Sequence, residues 1–242
     1  MASKRSEDFE TSFRKRFRSS HTASQIPGEG VSTSGPPSLS DMAIVPRSCI
    51  RFLTETRRVH ISLSLGLRST SHHIYDPFLR FPIDRSTQIS YDLSAIRSQF
   101  GLEFDPIGED HFQATPGIRY ARLLDELAFR DPYAFLSHVY ATSFAHVSGG
   151  KMIASRIENA LGIDPLLTYQ PNPNMDTNGL RKTFFETMAQ ADDYARSKAL
   201  MEAEVAFKMS TNVLYSLQAR PNDVDDEPPS VSQFFDSDSF LL

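Results

Sequence analysis

Residues 134 to 155 read AFLSHVYATSFAHVSGGKMIAS, an amphipathic run that predicts a helix but carries Gly149 and Gly150 side by side in its second half. Each glycine inside a helix costs roughly 1 kcal/mol relative to alanine. An adjacent pair therefore predicts a kink, or the close approach of something flat and bulky to bare backbone. The sharpest backbone irregularity is expected at residues 148–150.

Helical signals extend around that run, from residue 86 to about residue 218. Ser86 and Thr87 are candidate caps for a helix with Ile89, Leu93, Ile96 and Phe100 in register, stopped by Gly101. Thr115 followed by Pro116 reads as an N-cap with proline at the first helical position, ahead of a stripe of Ile118, Leu123, Leu124 and Leu127. Asp131 and Pro132 repeat the device and open the glycine-bearing helix, which should end near Leu161 and Gly162. The stretch 164–176, with three prolines and two asparagines, reads as a loop. Thr177 or Asn178 then starts a helix displaying Leu180, Phe184 and Met188, and a last helix from about Asp192 to Gln218 carries Leu200, Met201, Val205, Phe207, Met209, Val213 and Leu214. Period-two runs of β-branched residues are almost absent after residue 75, so the fold class is all-α.

A chain of 242 residues accommodates one sizeable domain with tails. Residues 1–75 carry 11 Lys/Arg against 6 Asp/Glu and are expected to be a mostly disordered basic region; 76–220 form the helical domain; 221–242, with six acidic groups and no basic one, form an acidic disordered tail. Within 1–75, the Ser, Gly, Pro and Thr-rich stretch 19–41 is the clearest disorder signal. The cluster Arg14-Lys15-Arg16-Phe17-Arg18 reads as a targeting patch, a nucleic-acid arm or a solvated tail. The middle segment holds 14 basic and 18 acidic groups, a balance that gives no case for a nucleic-acid partner. One cysteine, Cys49, excludes an internal disulfide and a Cys-rich metal site. No apolar run reaches the roughly 18 residues needed for a transmembrane anchor.

Phe144 to Ile153, FAHVSGGKMI, with PYAFLSHVY before it, resembles the distal helix of the haem oxygenases, and the plant type, with its YFAH-SAGG-RMIG-like sequence, more than the animal type. Three further segments follow the same family in the same order. YDLSAIRSQFG at 91–101 is similar to its LSTDLEWF-like segment, PGIRY at 116–120 with the run to Pro132 is similar to PGKTYSQYLKELAEKDP, and Phe207 to Ser210 is similar to FKYS. The resemblance covers about residues 85–218. It implies a haem-oxygenase-like multi-helix domain that cleaves haem, both substrate and cofactor, to biliverdin, carbon monoxide and ferrous iron, using O2 and electrons from ferredoxin or another reductase.

The resemblance also implies a site. Ala145, Ser148, Gly149 and Gly150 line the distal face of the haem, His146 serves the distal proton network as the catalytic residue, and Arg181 and Phe207 are haem contacts. The segment Thr54 to Ser62 resembles the animal ATKEVHTQ pattern and makes His60 the axial metal ligand, although its interval to Gly149 is shorter than the family's by about two helices. One position that is basic in animal members corresponds to Phe185. Some plant-type relatives do not turn haem over, so a catalytically inactive protein binding a tetrapyrrole or a protein partner is the alternative. The plant resemblance implies a plastid, but Glu7, Asp8 and Glu10 are unlike a transit peptide, which leaves the cytoplasm as the other compartment; a monomer without a transmembrane anchor is expected.

Two competing readings of the same residues are weak. SGGK lacks the spacing of a phosphate loop, since Met152 follows Lys151 and no strand precedes it. His138 and His146 are separated along a helix by about 12 Å, too far to share a metal, and His138 reads as a satisfied core residue.

Overall fold

A computed structural model describes residues 7–15, 39–69, 72–102, 115–220 and Asp223. Among them are seven α-helices and no strand: α1 over 7–15, α2 Pro46–Ser69, α3 Ser86–Gln99, α4 Pro116–Arg130, α5 Pro132–Leu161, α6 Thr177–Gln190 and α7 Asp193–Leu214. Short 3₁₀ turns occur at His73–Phe78, Leu167–Tyr169 and Tyr215–Leu217. The two most extensive pairings are α5 with α7 and α2 with α4.

Three expected helix starts are built as the residues suggested. Thr115 caps α4 through its hydroxyl, which accepts from Ile118 N–H, with Pro116 at the first position. Asp131 caps α5 by accepting from Ala134 N–H at 3.1 Å, and Asp192 caps α7 by accepting from Ala195 N–H at 2.7 Å. Gly162 closes α5 in the left-handed region at φ 61°, a conformation with no Cβ penalty for glycine. At α3 the cap differs from expectation: neither Ser86 nor Thr87 caps it, and the Asp84 carboxylate instead accepts from Ser86 N–H at 2.8 Å.

The boundary expected at residue 75 does not mark the edge of the packed body. The 24-residue α2 lies wholly within the region expected to be mostly disordered. Its Cys49, Phe52, Leu53, Val59, Leu63 and Leu67 are buried at helical spacing. Threonines, serines and arginines interleave with these positions and dilute the local signal, and packing against α3 and α4 supplies what propensity lacks. In α1, Phe9 and Phe13 are likewise buried, against Phe184 and Phe185 of α6. The expectations for 19–38, and for the acidic tail apart from Asp223, fall outside the described residues.

A second departure concerns α5, which runs through Gly149 and Gly150 without interruption for 30 residues. Glycine weakens a helix through backbone entropy but removes no hydrogen bond. Helix formation is cooperative, and the packing of α5 on α4, α6 and α7 carries the weak turn.

The positions of α2 and α4 are locked by Glu55. Its buried carboxylate accepts from Gly117 N–H at 2.6 Å and from the Thr115 hydroxyl at 2.7 Å, at the N-terminus of α4 where free amides favour an anion. Gly117 is required there, because a Cβ would collide with Glu55. Among the described residues no helix is long and apolar enough to cross a membrane.

Candidate functional site

The two adjacent glycines of α5 have different surroundings. A Cβ placed on Gly150 would lie 2.6 Å from Tyr169 Cδ1, so this glycine admits an internal aromatic ring. A Cβ on Gly149 would meet nothing within 4 Å. Gly149 therefore offers bare backbone to open space, the surface that a flat ligand needs, whereas at Gly150, expected to line the same face, the Tyr169 ring fills the space beside the backbone. Ala145, one turn earlier, is half-buried.

Between them stands His146. Its Nε2–H donates to the Thr168 carbonyl at 2.8 Å, and its ring stacks on Tyr169 with centroids 5.0 Å apart and planes at 21°. Burial, with the nearby His60 and Arg85 adding to it, lowers its pKa to about 3. At neutral pH the imidazole is therefore uncharged, with its proton on Nε2 and a lone pair on Nδ1.

The Thr168 carbonyl is itself held in place. Asp92, buried on α3, accepts from Leu167 N–H at 2.9 Å, Thr168 N–H at 2.8 Å and the Thr168 hydroxyl at 2.5 Å. Arg85 donates to the Gln170 carbonyl at 3.4 Å. Asp92, Thr168 and Tyr169, which surround His146 through these contacts, are residues that the sequence reading did not single out. The available signal was Asp92 itself, a carboxylate three residues after Ile89 and thus on the buried stripe of α3.

His60 is buried on α2 and donates from Nδ1–H to the Ile83 carbonyl at 3.2 Å, which leaves Nε2 as an acceptor. Burial lowers its pKa to about 4. Its ring meets that of His146 edge to face, centroids 5.4 Å apart. His60, expected from the resemblance to hold the metal, thus lies directly against His146, the residue expected to serve the distal side. Among the described residues no group of three or more His, Cys, Asp and Glu side chains is placed to hold a metal ion.

A second cluster lies one to two turns nearer the start of α5. Tyr140 stacks on Phe144 and on Phe184, each with centroids 4.3 Å apart, and takes the edge of Phe13 at 5.4 Å. Its phenol is pushed up to about 12 by burial, and the positive charges of Arg181 and Arg14 act in the opposite direction. Two guanidinium groups are thus close to this tyrosine. Phe207, half-buried on α7, belongs to the helix packed along α5. His138 is a satisfied core residue, bonded to the Tyr120 hydroxyl and the Glu202 carboxylate, each at 3.0 Å.

The sequence matches the Heme oxygenase family over residues 52–216, more than half of the chain. The chain belongs to the haem oxygenase family. It is 28% identical to the chloroplastic heme oxygenase 1 of Arabidopsis thaliana over 168 residues, 68% of this chain and 57% of that protein. It is 29% identical to the chloroplastic heme oxygenase 1 of Oryza sativa subsp. japonica, over 68% of this chain and 56% of that protein. A probable inactive heme oxygenase 2 of Arabidopsis thaliana is 25% identical over 112 residues, 46% of this chain and 35% of that protein. The chain thus spans somewhat over half the length of the first two relatives.

Solved haem oxygenases share the fold. Heme oxygenase-1 of Synechocystis sp. PCC6803, in complex with heme, superposes with a TM-score of 0.64 at 17% identity, covering 86% of this chain and 91% of that one. The heme oxygenase of Leptospira interrogans gives 0.65 at 16% identity, covering 85% and 97%. The all-α class and the haem-oxygenase architecture expected from the sequence both hold.

Proposed function

We propose that this chain is a haem oxygenase that lays haem on the Gly149 face of α5. The observation that carries this reading is the pairing of bare backbone at Gly149 with a neutral, tautomerically defined His146 beside it. Ala145 and the backbone at Ser148 extend that face. Arg181, whose charge reaches Tyr140, supplies positive charge suited to the haem carboxylates, and Phe207 lies on the neighbouring α7.

Haem and O2 supply the reactive chemistry, ring opening to biliverdin, carbon monoxide and ferrous iron, with electrons from ferredoxin or another reductase. The chain's own residues orient it and keep protons in order. With its pKa near 3, His146 is not a proton source at neutral pH; its Nδ1 lone pair is available to accept a hydrogen bond rather than to donate one. Small residues at 145 and 149 set how closely the ring approaches the helix. The chloroplastic names of the relatives support a plastid location, and the protein is taken as a monomer.

A histidine outside the described residues would then hold the haem iron. His21, six residues beyond the end of α1, is followed by Thr22 as the histidine of the animal ATKEVHTQ pattern is followed by threonine. Its 128-residue interval to Gly149 also removes the shortfall that His60 leaves.

A second reading, an inactive haem-oxygenase-like protein, is favoured by one observation. Phe185, standing where animal members carry a basic residue, is buried in the aromatic cluster with Phe9 and Phe13. Titration with hemin followed by reduction in air separates the two. A Soret band that gives way to biliverdin supports turnover; a stable Soret band without product supports an inactive tetrapyrrole binder, and absence of any band sinks haem binding and leaves only the protein-partner form of the second reading.

A further inference from the structure

We propose that Asp92 is the positioning residue of His146, acting through Thr168. The proposal rests on the reading that His146 serves the haem face, but its geometry is independent of bound haem. One carboxylate on α3 accepts all three nearby donors of the Leu167–Thr168 turn, two amides and one hydroxyl. The carbonyl of the same threonine accepts the His146 Nε2 proton at 2.8 Å. The next residue, Tyr169, lies flat against the imidazole and against the side of Gly150. Asp92 therefore controls two things at once: which ring nitrogen bears the proton, and the plane in which the ring is held.

The anchor suits a carboxylate and little else. Asp92 is 4% exposed and Thr168 fully buried, so each donor left without a partner would be costly. An ionised carboxylate is acceptor-only and takes three donors without conflict, whereas an amide at the same place turns an NH2 towards groups that are themselves donors. His60 provides an internal reference. Its tautomer is set by the Ile83 carbonyl, on a different segment, and owes nothing to Asp92.

The test is the 15N spectrum of the histidine rings in the full-length, haem-free protein. Wild type is expected to show His146 as a single Nε2–H tautomer and His60 as Nδ1–H. In Asp92→Asn, His146 is expected to lose the single tautomer and populate both, while His60 remains Nδ1–H. Thr168→Val, nearly isosteric, removes the hydroxyl arm and gives the same direction of change should Asp92→Asn not fold; Thr168→Ser retains the wild-type pattern. An unchanged His146 in either folded variant overturns the proposal. So does loss of both tautomers together, which marks general loosening rather than positioning. Failure to bind haem would defeat the functional reading but leave this readout intact.

Discussion

The imidazole rings of His60 and His146, carried on α2 and α5, meet edge to face with centroids 5.4 Å apart and planes at 84°. Each has its proton assigned by a backbone carbonyl, Ile83 for His60 and Thr168 for His146, so the ring nitrogens left over are both acceptors. The two histidines, one on α2 and one on α5, form one neutral unit. On the proposed reading, this contact makes His60 a neighbour of His146 rather than the residue that would hold the iron.

That reassignment makes a spectroscopic prediction. His60→Ala should keep the ferric haem spectrum of a histidine-ligated protein, at a stability cost of about 1 to 3 kcal/mol for the Ile83 carbonyl left without its donor. His21→Ala should lose that signature, and added imidazole should restore part of it. A haem spectrum lost in the first variant and kept in the second would reverse the assignment.

The glycines should separate in mutagenesis. Gly149→Ala meets no atom and is expected to raise the melting temperature of the haem-free protein, by up to about 1 kcal/mol of helix propensity. Gly149→Leu should abolish haem binding with the fold retained, because the side chain takes the volume of the ring. Gly150→Ala drives a methyl into Tyr169 and should destabilise by about 1 to 3 kcal/mol. Calorimetry with hemin titration reads both effects, and equal behaviour of the two positions would contradict the division of roles.

Stability should fall with acidity in a defined window. His60 and His146 titrate near 4 and 3 when folded and near 6.5 when unfolded, so between those limits the unfolded chain binds more protons and unfolding becomes easier as pH falls. Each histidine contributes a slope of up to about 1.4 kcal/mol per pH unit, starting below pH 6.5 and complete by the folded values. Asp84 opposes the shift at His60, and Arg85 reinforces it at both rings. In urea titrations across pH 4 to 7, replacing both histidines should flatten this dependence; an unaltered slope would show that other groups carry it.

Glu55 should matter for stability alone. Glu55→Ala leaves Gly117 N–H without its buried acceptor and should cost about 1 to 3 kcal/mol in chemical denaturation. Haem affinity per folded molecule should be unchanged, since the residue joins α2 to the start of α4. A selective loss of haem binding would place it in the site instead.

How much of this was legible in the chain differs by feature. Thr115, Asp131 and Gly162 announced the ends of α4 and α5 because capping is local chemistry, completed within three or four residues. The all-α class followed from spacing, and the family from four short segments in order. That α2 belongs to the packed body was not legible, because it holds its shape through contacts with α3 and α4 that its own composition does not display. The glycine pair was visible, but not that α5 stays unbroken there, nor that one glycine faces Tyr169 and the other open space. Helical residues one apart point about 100° from each other, so their roles depend on what the rest of the fold brings to each side. The same holds for the site: Asp92 to Thr168 spans 76 residues and His60 to Ile83 spans 23. By itself the sequence determined the helices from α3 onward, the caps of α4 and α5 and the bare backbone at Gly149. Which ring carries its proton where, and which histidine stands beside which, was decided only by tertiary packing, because a carbonyl brought up from a distant segment selects the tautomer.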